Sequence, residues 1–243
     1  MDARLQLRIQ RYGWDRAAPS YELAWKQALA PATDAVLNAA KLRPGERVLD
    51  VACGSGLLTR AACEAVSCDG GEVVGTDISE VMLTEAAERS PACRFVRADA
   101  QNLDEFVPAE YFDVVLCGLG LMYMPDPEAA LVTMAGCLRS GGRMAVSVWG
   151  ERRDCGWAEI FPIVDSQVRS EVCPMFFRVG TGDTLEVALR EAGLIDVQLS
   201  HPPTTIRYDD ADAACDAAFL SGPVALAYSR FDEATRLDVR AQY

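Results

Sequence analysis

Residues 46–52, E-R-V-L-D-V-A, form a short apolar run that passes through C-G-S-G directly into L-L-T-R-A-A-C-E-A-V, a stretch with helical spacing. A buried strand, a tight glycine turn and a helix, in that order, leave few architectures open. Such a strand needs parallel neighbours and helices over both faces of its sheet. The pattern then recurs. Gly70-Gly71 makes a turn and E-V-V-G-T-D (72–77) a second strand. Ser79 reads as the N-cap of S-E-V-M-L-T-E-A-A-E-R-S, with Glu80 in the first turn and Pro91 past the end. Residues 93–97 and 112–117 give a third and a fourth strand. Asp126-Pro127-Glu128 starts a helix carrying Leu131, Met134 and Leu138 on one face, expected to stop at Gly141-Gly142 before a fifth strand, R-M-A-V-S-V-W (143–149). Strands alternating with helices predict an α/β fold: a doubly wound, mostly parallel sheet with helices on both faces.

Beyond residue 150 the pattern loosens. Thr181 to Gly193 reads as a helix, 195–207 as one strand or two split by Pro202-Pro203, 209–220 as acidic and alanine-rich, and 231–243 as helical. There is no internal repeat or low-complexity linker. A single domain is expected, with a helical lid over 1–43, a ligand-binding core over 44–150, and a cap with the rest of the sheet over 151–243.

Composition narrows the function classes. The chain has 23 basic and 36 acidic residues, a net charge of −13, which repels phosphate backbones and disfavours a nucleic-acid substrate. Arg152-Arg153 is too small a basic pair to reverse that. No apolar run approaches the roughly 18 residues of a membrane span, and the N-terminus lacks the apolar centre of a signal peptide. The nine cysteines are odd in number and contain no C-x-x-C pair, so free thiols in a reducing cytoplasm are expected.

Ligands of open parallel sheets bind beyond the carboxyl ends of the strands. The first strand ends with Asp50, Ala52, Gly54 and Gly56, small residues that let a ligand approach the backbone beside a helix N-terminus. A dinucleotide motif counted from Gly54 would need glycine where Thr59 stands, a poor fit to a nucleotide-linked oxidoreductase. The second strand ends in Asp77, a carboxylate able to accept both hydroxyls of a ribose, or alternatively a charge at the start of the following helix. Asp99 and Ala100 follow the third strand, where a carboxylate and a backbone N–H can read the edge of an adenine. Cys117 to Gly120 end the fourth. The four tips together suit an adenosyl amino acid.

V-L-D-V-A-C-G-S-G, V-V-G-T-D-I-S, F-V-R-A-D-A-Q-N-L, F-D-V-V-L-C-G-L-G-L-M-Y-M-P-D and L-R-S-G-G-R-M-A-V-S-V-W resemble the successive motifs of class I, Rossmann-like S-adenosylmethionine-dependent methyltransferases. The similarity covers residues 10–150 well and is closest to the branch of quinone-biosynthesis C-methyltransferases. It implies S-adenosyl-L-methionine as cofactor, and methyl transfer from its sulfonium requires no metal; the acidic composition and the modest cap point to a small-molecule methyl acceptor. The resemblance also implies that Asp50, Gly54 and Gly56 shape the methionine end, Asp77 holds the ribose, Ile78 packs on adenine, and Asp99 and Ala100 read its edge. Cys117 lines the route of the methionine moiety. Ala52 replaces the first glycine of the family motif. Members often close the cofactor with an aromatic N-terminal helix, for which Tyr12, Trp14, Tyr21 and Trp25 are the candidates, core packing being the alternative. The family's last strand, an antiparallel one, is expected from residues 203–208 or else is missing from the chain.

Catalytic candidates are sparse. Tyr21, Tyr123, Trp149 and Arg152 are placed to contact an acceptor, and His201 is the one histidine available as a general base. Each also has a structural reading, and proximity alone can drive an in-line methyl transfer. Cys155 and Cys173 are the pair to consider for a soft acceptor. A cofactor-binding protein without transferase activity is the competing class.

Overall fold

The computed structural model of the protein describes residues 3–168 and 175–243. Five strands form one sheet: β1 (Arg47–Val51), β2 (Glu72–Asp77), β3 (Arg94–Arg97), β4 (Phe112–Gly118) and β5 (Leu138–Ser147). Their order is β3-β2-β1-β4-β5, and every pair is parallel. The chain steps outward from β1 to β3, then returns to place β4 on the other side of β1. That reversal opens a crevice beyond the carboxyl ends of β1 and β4.

Both faces of the sheet are dry. On one, Leu49 and Val51 of β1 and Val115 and Cys117 of β4 pack against α4 (Pro127–Gly136) through Leu131 and Met134, and against α6 (Thr184–Glu191) through Ala188 and Leu189. On the other, Val48, Val73, Val114 and Leu116 meet Leu58, Ala62 and Val66 of α2 (Leu57–Val66) and Val36 and Ala40 of α1 (Ala3–Ala40). Strand residues alternate strictly between the two groups, as a period of two requires. α3 (Glu80–Arg89) starts where Ser79 Oγ accepts the Met82 N–H at 3.1 Å, and α4 where Asp126 Oδ1 accepts from Ala129 at 2.8 Å.

The expected lid is one 38-residue helix, α1, with Pro19 and Pro31 inside it, each withholding one N–H donor from the helical ladder. It packs against α2, α3, β4 and β5, and against α7 (Ala211–Leu220) and α8 (Ala225–Tyr228). A further cluster, with Met122, Ile160, Phe161, Val164, Phe219, Tyr228 and Val239 buried, joins α5 (Ile160–Asp165), α7, α8 and α9 (Glu233–Gln242) into a cap.

Three expectations need correction. The fourth helix of the core ends at Gly136, and β5 begins at Leu138, not 143. Gly141-Gly142 lies within the strand, where Gly141 takes φ +74 and a bulge shifts the register against Phe112–Val114. Trp149 consequently lies two residues beyond the strand end. Residues 195–207 contain no strand, nor do 203–208, so the sheet of the described residues has parallel pairs alone.

Asp113, at the start of β4, ties three elements together. Its Oδ2 accepts the Arg47 backbone N–H at 2.8 Å and its Oδ1 accepts from the Arg139 guanidinium. Burial opposes its ionisation, but the Arg47 N–H and the two guanidinium groups outweigh it and hold the carboxyl below the usual carboxylate range. A depressed folded-state pKa gives stability that is present above the unfolded value and lost as pH falls through the folded one. Asp113→Asn should therefore lower the unfolding free energy by about 1–3 kcal/mol at neutral pH in urea titrations, with the deficit shrinking on acidification.

Candidate active site

A cavity of about 1180 Å³, counting the space open at its mouth, lies at the carboxyl end of the sheet beneath α1. A smaller one of about 470 Å³ adjoins it and shares Tyr21, Leu29, Ala52, Gly54, Gly118 and Leu119 with it.

The glycine turn is built by backbone geometry. Ala52 and Gly54 take φ +57 and +54, which directs the Gly54 N–H to Asp77 Oδ2 at 2.9 Å, while the Cys53 N–H continues the ladder to the Thr76 carbonyl at 2.9 Å. The loop after β4 comes close: a Cβ on Gly120 would stand 2.5 Å from that of Ala52, so only glycine fits there. Asp77 is 9% exposed, and its Oδ1 accepts the Ser79 N–H at 2.8 Å. Burial raises its proton affinity, and the N–H donors of Ser79, Gly54 and Ile78 work against that rise.

Asp50 is 1% exposed and lines the smaller cavity. Thr59 Oγ1 donates to its Oδ2 at 2.6 Å, but its Oδ1 is buried without a protein partner. Burial chiefly, then the charge of Asp77, pushes this carboxyl up to about 7 against the Thr59 bond. Asp99 caps the turn at 100–105 by accepting the Gln101 N–H at 3.0 Å, and it lines the cavity with Ala100 and Ile78.

Aromatic side chains close the other wall. Trp14 meets Tyr123 edge-on at 4.8 Å, and Trp149 meets Trp157 at 5.2 Å. Trp25 Nε1 donates to the Ser221 carbonyl at 3.0 Å, tying α1 to the end of α7. Burial, aided by the Asp77 charge, raises the Tyr21 hydroxyl well above its ordinary pKa, so at neutral pH it is a hydrogen-bond donor and not a base.

Of the residues expected from sequence, Tyr21, Ala52, Gly54, Asp77, Ile78, Asp99, Ala100, Tyr123 and Trp149 line the main cavity and Asp50 the adjoining one. Four lie elsewhere. Gly56 (φ +82) has its α-carbon turned toward α3, where an added Cβ would meet Ala86 at 3.1 Å. Cys117 is in the core, where burial pushes its thiol up to about 12. Arg152 is on the surface, 3.9 Å from Glu159, and His201 is exposed in a segment without secondary structure. Of the lid aromatics, Trp14, Tyr21 and Trp25 face inward and Tyr12, 49% exposed, faces out. Cys155 lines neither cavity, and Cys173 lies outside the described residues. Among the described residues no three His, Cys, Asp or Glu side chains gather as a metal-ligand set.

Sequence reasoning missed Leu7, Leu29, Met82, Trp157, Ile160 and the Ser221–Pro223 turn. Leu7 and Leu29 were findable: Leu7, Trp14 and Tyr21 are spaced by seven residues, and Trp25 and Leu29 follow at intervals of four, one face of a helix. The remaining residues carried no such signal.

The family described as a methyltransferase domain matches residues 48–142. Nocamycin O-methyltransferase of Saccharothrix syringae is 30% identical over 231 residues, covering 86% of this chain and 80% of that protein. The ubiquinone/menaquinone biosynthesis C-methyltransferase UbiE of Ectopseudomonas mendocina is 40% identical over 111 residues, 43% of this chain and 42% of that one. Among solved structures, the cyclase SpnF superposes with a TM-score of 0.67 at 19% identity, over 97% of this chain and 91% of its own. Phosphoethanolamine N-methyltransferase 2 of Haemonchus contortus, solved with S-adenosyl-L-methionine, gives 0.57 at 22% identity over 75% and 42%. These two likenesses concern the fold.

The half-paired Asp50 has a measurable consequence. Its folded-state pKa, about 7, lies above the value of 3.8 for a free carboxyl, so its stability contribution is full below the lower value and is lost as pH rises through the upper one. Asp50→Asn should stabilise the ligand-free protein, and more so at pH 8 than at pH 5 by at least about 1 kcal/mol. Thermal denaturation at both pH values checks this; equal shifts at the two would contradict it.

Proposed function

This chain belongs to the class I S-adenosylmethionine-dependent methyltransferases, enzymes whose methyl donor is S-adenosyl-L-methionine, and from that premise we propose that its acceptor is a small, uncharged, largely apolar molecule methylated on oxygen. The observation that carries the acceptor class is the aromatic part of the cavity lining. Trp14, Trp25, Tyr123, Trp149, Trp157 and Ile160 form it, while the lining carboxylates, Asp77 and Asp99, belong to the strand tips. Among the described residues no Lys, Arg or His lines the cavity, so a buried, permanently anionic acceptor would find no side-chain countercharge among them.

The choice of oxygen rests on coverage. The relative named as an O-methyltransferase aligns over 231 residues, a length that takes in most of the cap, whereas the C-methyltransferase aligns over 111. The cap supplies Trp157, Ile160 and Ser221–Pro223 to the acceptor wall, so resemblance there bears on the acceptor more directly.

The residues present fit the donor. Asp77 keeps lone pairs for ribose hydroxyls after accepting two backbone N–H groups. The partnerless Asp50 Oδ1 suits the ammonium of the methionine moiety, and Ile78, Asp99 and Ala100 suit adenine. S-adenosyl-L-methionine supplies an electrophilic methyl group on a positively charged sulfur. The chain's part is to hold the reactants aligned, with Asp50 and Asp77 anchoring the donor's ammonium and ribose and aromatic walls excluding water. With Tyr21 held protonated, the acceptor's hydroxyl proton leaves to water at the open mouth of the cavity as its oxygen takes the methyl group and the bond to sulfur breaks, and the acceptor's own acidity sets how readily that proton goes.

Calorimetry should show S-adenosyl-L-methionine binding that Asp77→Ala weakens by at least about tenfold. Trp149→Ala and Trp157→Ala should raise the acceptor KM while donor affinity stays within about twofold, since they line only the acceptor wall. A screen of neutral phenols and enols against carboxylates and phosphates, read by mass spectrometry, tests the acceptor class. Preferred turnover of charged acceptors, or a C-methylated product, would overturn this reading.

A further inference from the structure

We propose that Asp15 is a positioning residue: by holding Ser79 it fastens α1 to the donor-binding wall and sets how long the donor stays bound. The inference rests on reading Asp77 as the donor's ribose carboxylate.

Asp15 Oδ1 accepts from the Ser79 hydroxyl at 2.7 Å, sixty-four residues away in sequence. Ser79 is fully buried and uses every polar atom it has on that side of the helix start. Its Oγ accepts the Met82 N–H, capping α3, so its single hydroxyl proton goes to Asp15. Its backbone N–H goes to Asp77 Oδ1 at 2.8 Å. One residue therefore orients a helix, the lid and the carboxylate together. Asp15 has no cavity wall of its own, but its neighbour Trp14 does, and Tyr21 follows two turns later on the same inner face.

The placement has a cost that packing alone does not explain. A second carboxylate near Asp77 opposes its ionisation, adding to the rise that burial already causes. What the arrangement supplies is a fastening at the point where the lid crosses the donor wall. Farther along α1, Glu22 bonds Arg60 of α2 at 3.0 Å and lies 3.4 Å from Arg89 of α3. Neither arginine lines a cavity. Asp15–Ser79 reaches the cofactor wall itself. A donor lying between Tyr21 and Asp77 leaves when α1 lifts, and lifting breaks this bond.

A double-mutant cycle tests it. Asp15→Ala should speed dissociation of S-adenosyl-L-methionine about tenfold in stopped-flow displacement and raise its KM by a similar factor, with kcat within about threefold. Asp15→Asn, whose amide oxygen still accepts from Ser79, should recover the rate to within about threefold. Asp34→Ala, removing an exposed charge from the same helix, should leave it unchanged. Ser79→Ala also loses the α3 cap, but Asp15→Ala added to it should do no further harm to donor dissociation, because the shared bond is already gone. Additive effects in the cycle, or failure of Asp15→Asn to recover, overturn the proposal. If Asp77→Ala itself leaves donor affinity intact, it is the ribose assignment that fails.

Discussion

Two carboxylates buried side by side at the carboxyl ends of adjacent parallel strands govern the rest of this structure. Asp50 of β1 and Asp77 of β2 are nearly free of solvent, and removing a charge from water costs several kcal/mol unless donors replace the water. Asp77 obtains two backbone N–H groups, from Gly54 and Ser79. That requirement fixes the glycine turn, whose left-handed Ala52 and Gly54 exist to bring one N–H round to the carboxylate, and it fixes the start of α3. Asp50 obtains one hydroxyl. The fold thus satisfies one carboxylate and leaves the other short, and the shortfall is where a cationic ligand is worth most.

The lid and the acceptor wall follow from that charge distribution. α1 turns a stripe from Leu7 to Leu29 toward the crevice, and burial, with the Asp77 charge adding to it, pushes the Tyr21 phenol further above its ordinary pKa. Across the cavity the polarity falls away: indole edges, Tyr123 and Ile160 replace carboxylates within one continuous space. A single site therefore offers a charged, hydrogen-bonding half and an apolar half.

Sequence alone made the sheet legible where burial on both faces writes an unbroken apolar run, as in E-R-V-L-D-V-A and F-D-V-V-L-C, and where capping chemistry is local, as at Ser79 and Asp126. It misled at the start of β5. R-S-G-G looks like a turn, yet Gly141 absorbs a bulge inside the strand, and the true helix end at Gly136-Cys137 carries little punctuation. The cavity lining at the strand tips was readable because its residues follow strand ends in order. Gly56 and Cys117 belonged to the same motifs but turn into packing, a difference of side-chain direction that spacing does not encode. The acceptor wall was largely unreadable. Trp157 and the Ser221–Pro223 turn reach the cavity through the docking of α5, α7 and α8, a matter of tertiary packing between segments with no motif of their own.

That asymmetry has a physical origin in the crevice. Its width is set by backbone: Ala52 and Leu119 both take positive φ, a strained conformation for residues with a Cβ, and Gly120 is stripped of one where the two loops nearly touch. Side chains there can change little without closing the gap, so the residues at the strand tips are confined to a narrow set. The family match over 48–142 spans that confined region. The cap faces no comparable restriction, since an apolar wall tolerates many volume-conserving exchanges. One half of the site is held by backbone geometry and the other by the packing of side chains from separate segments, which is why the strand tips can be read from the sequence and the cap's share of the cavity cannot.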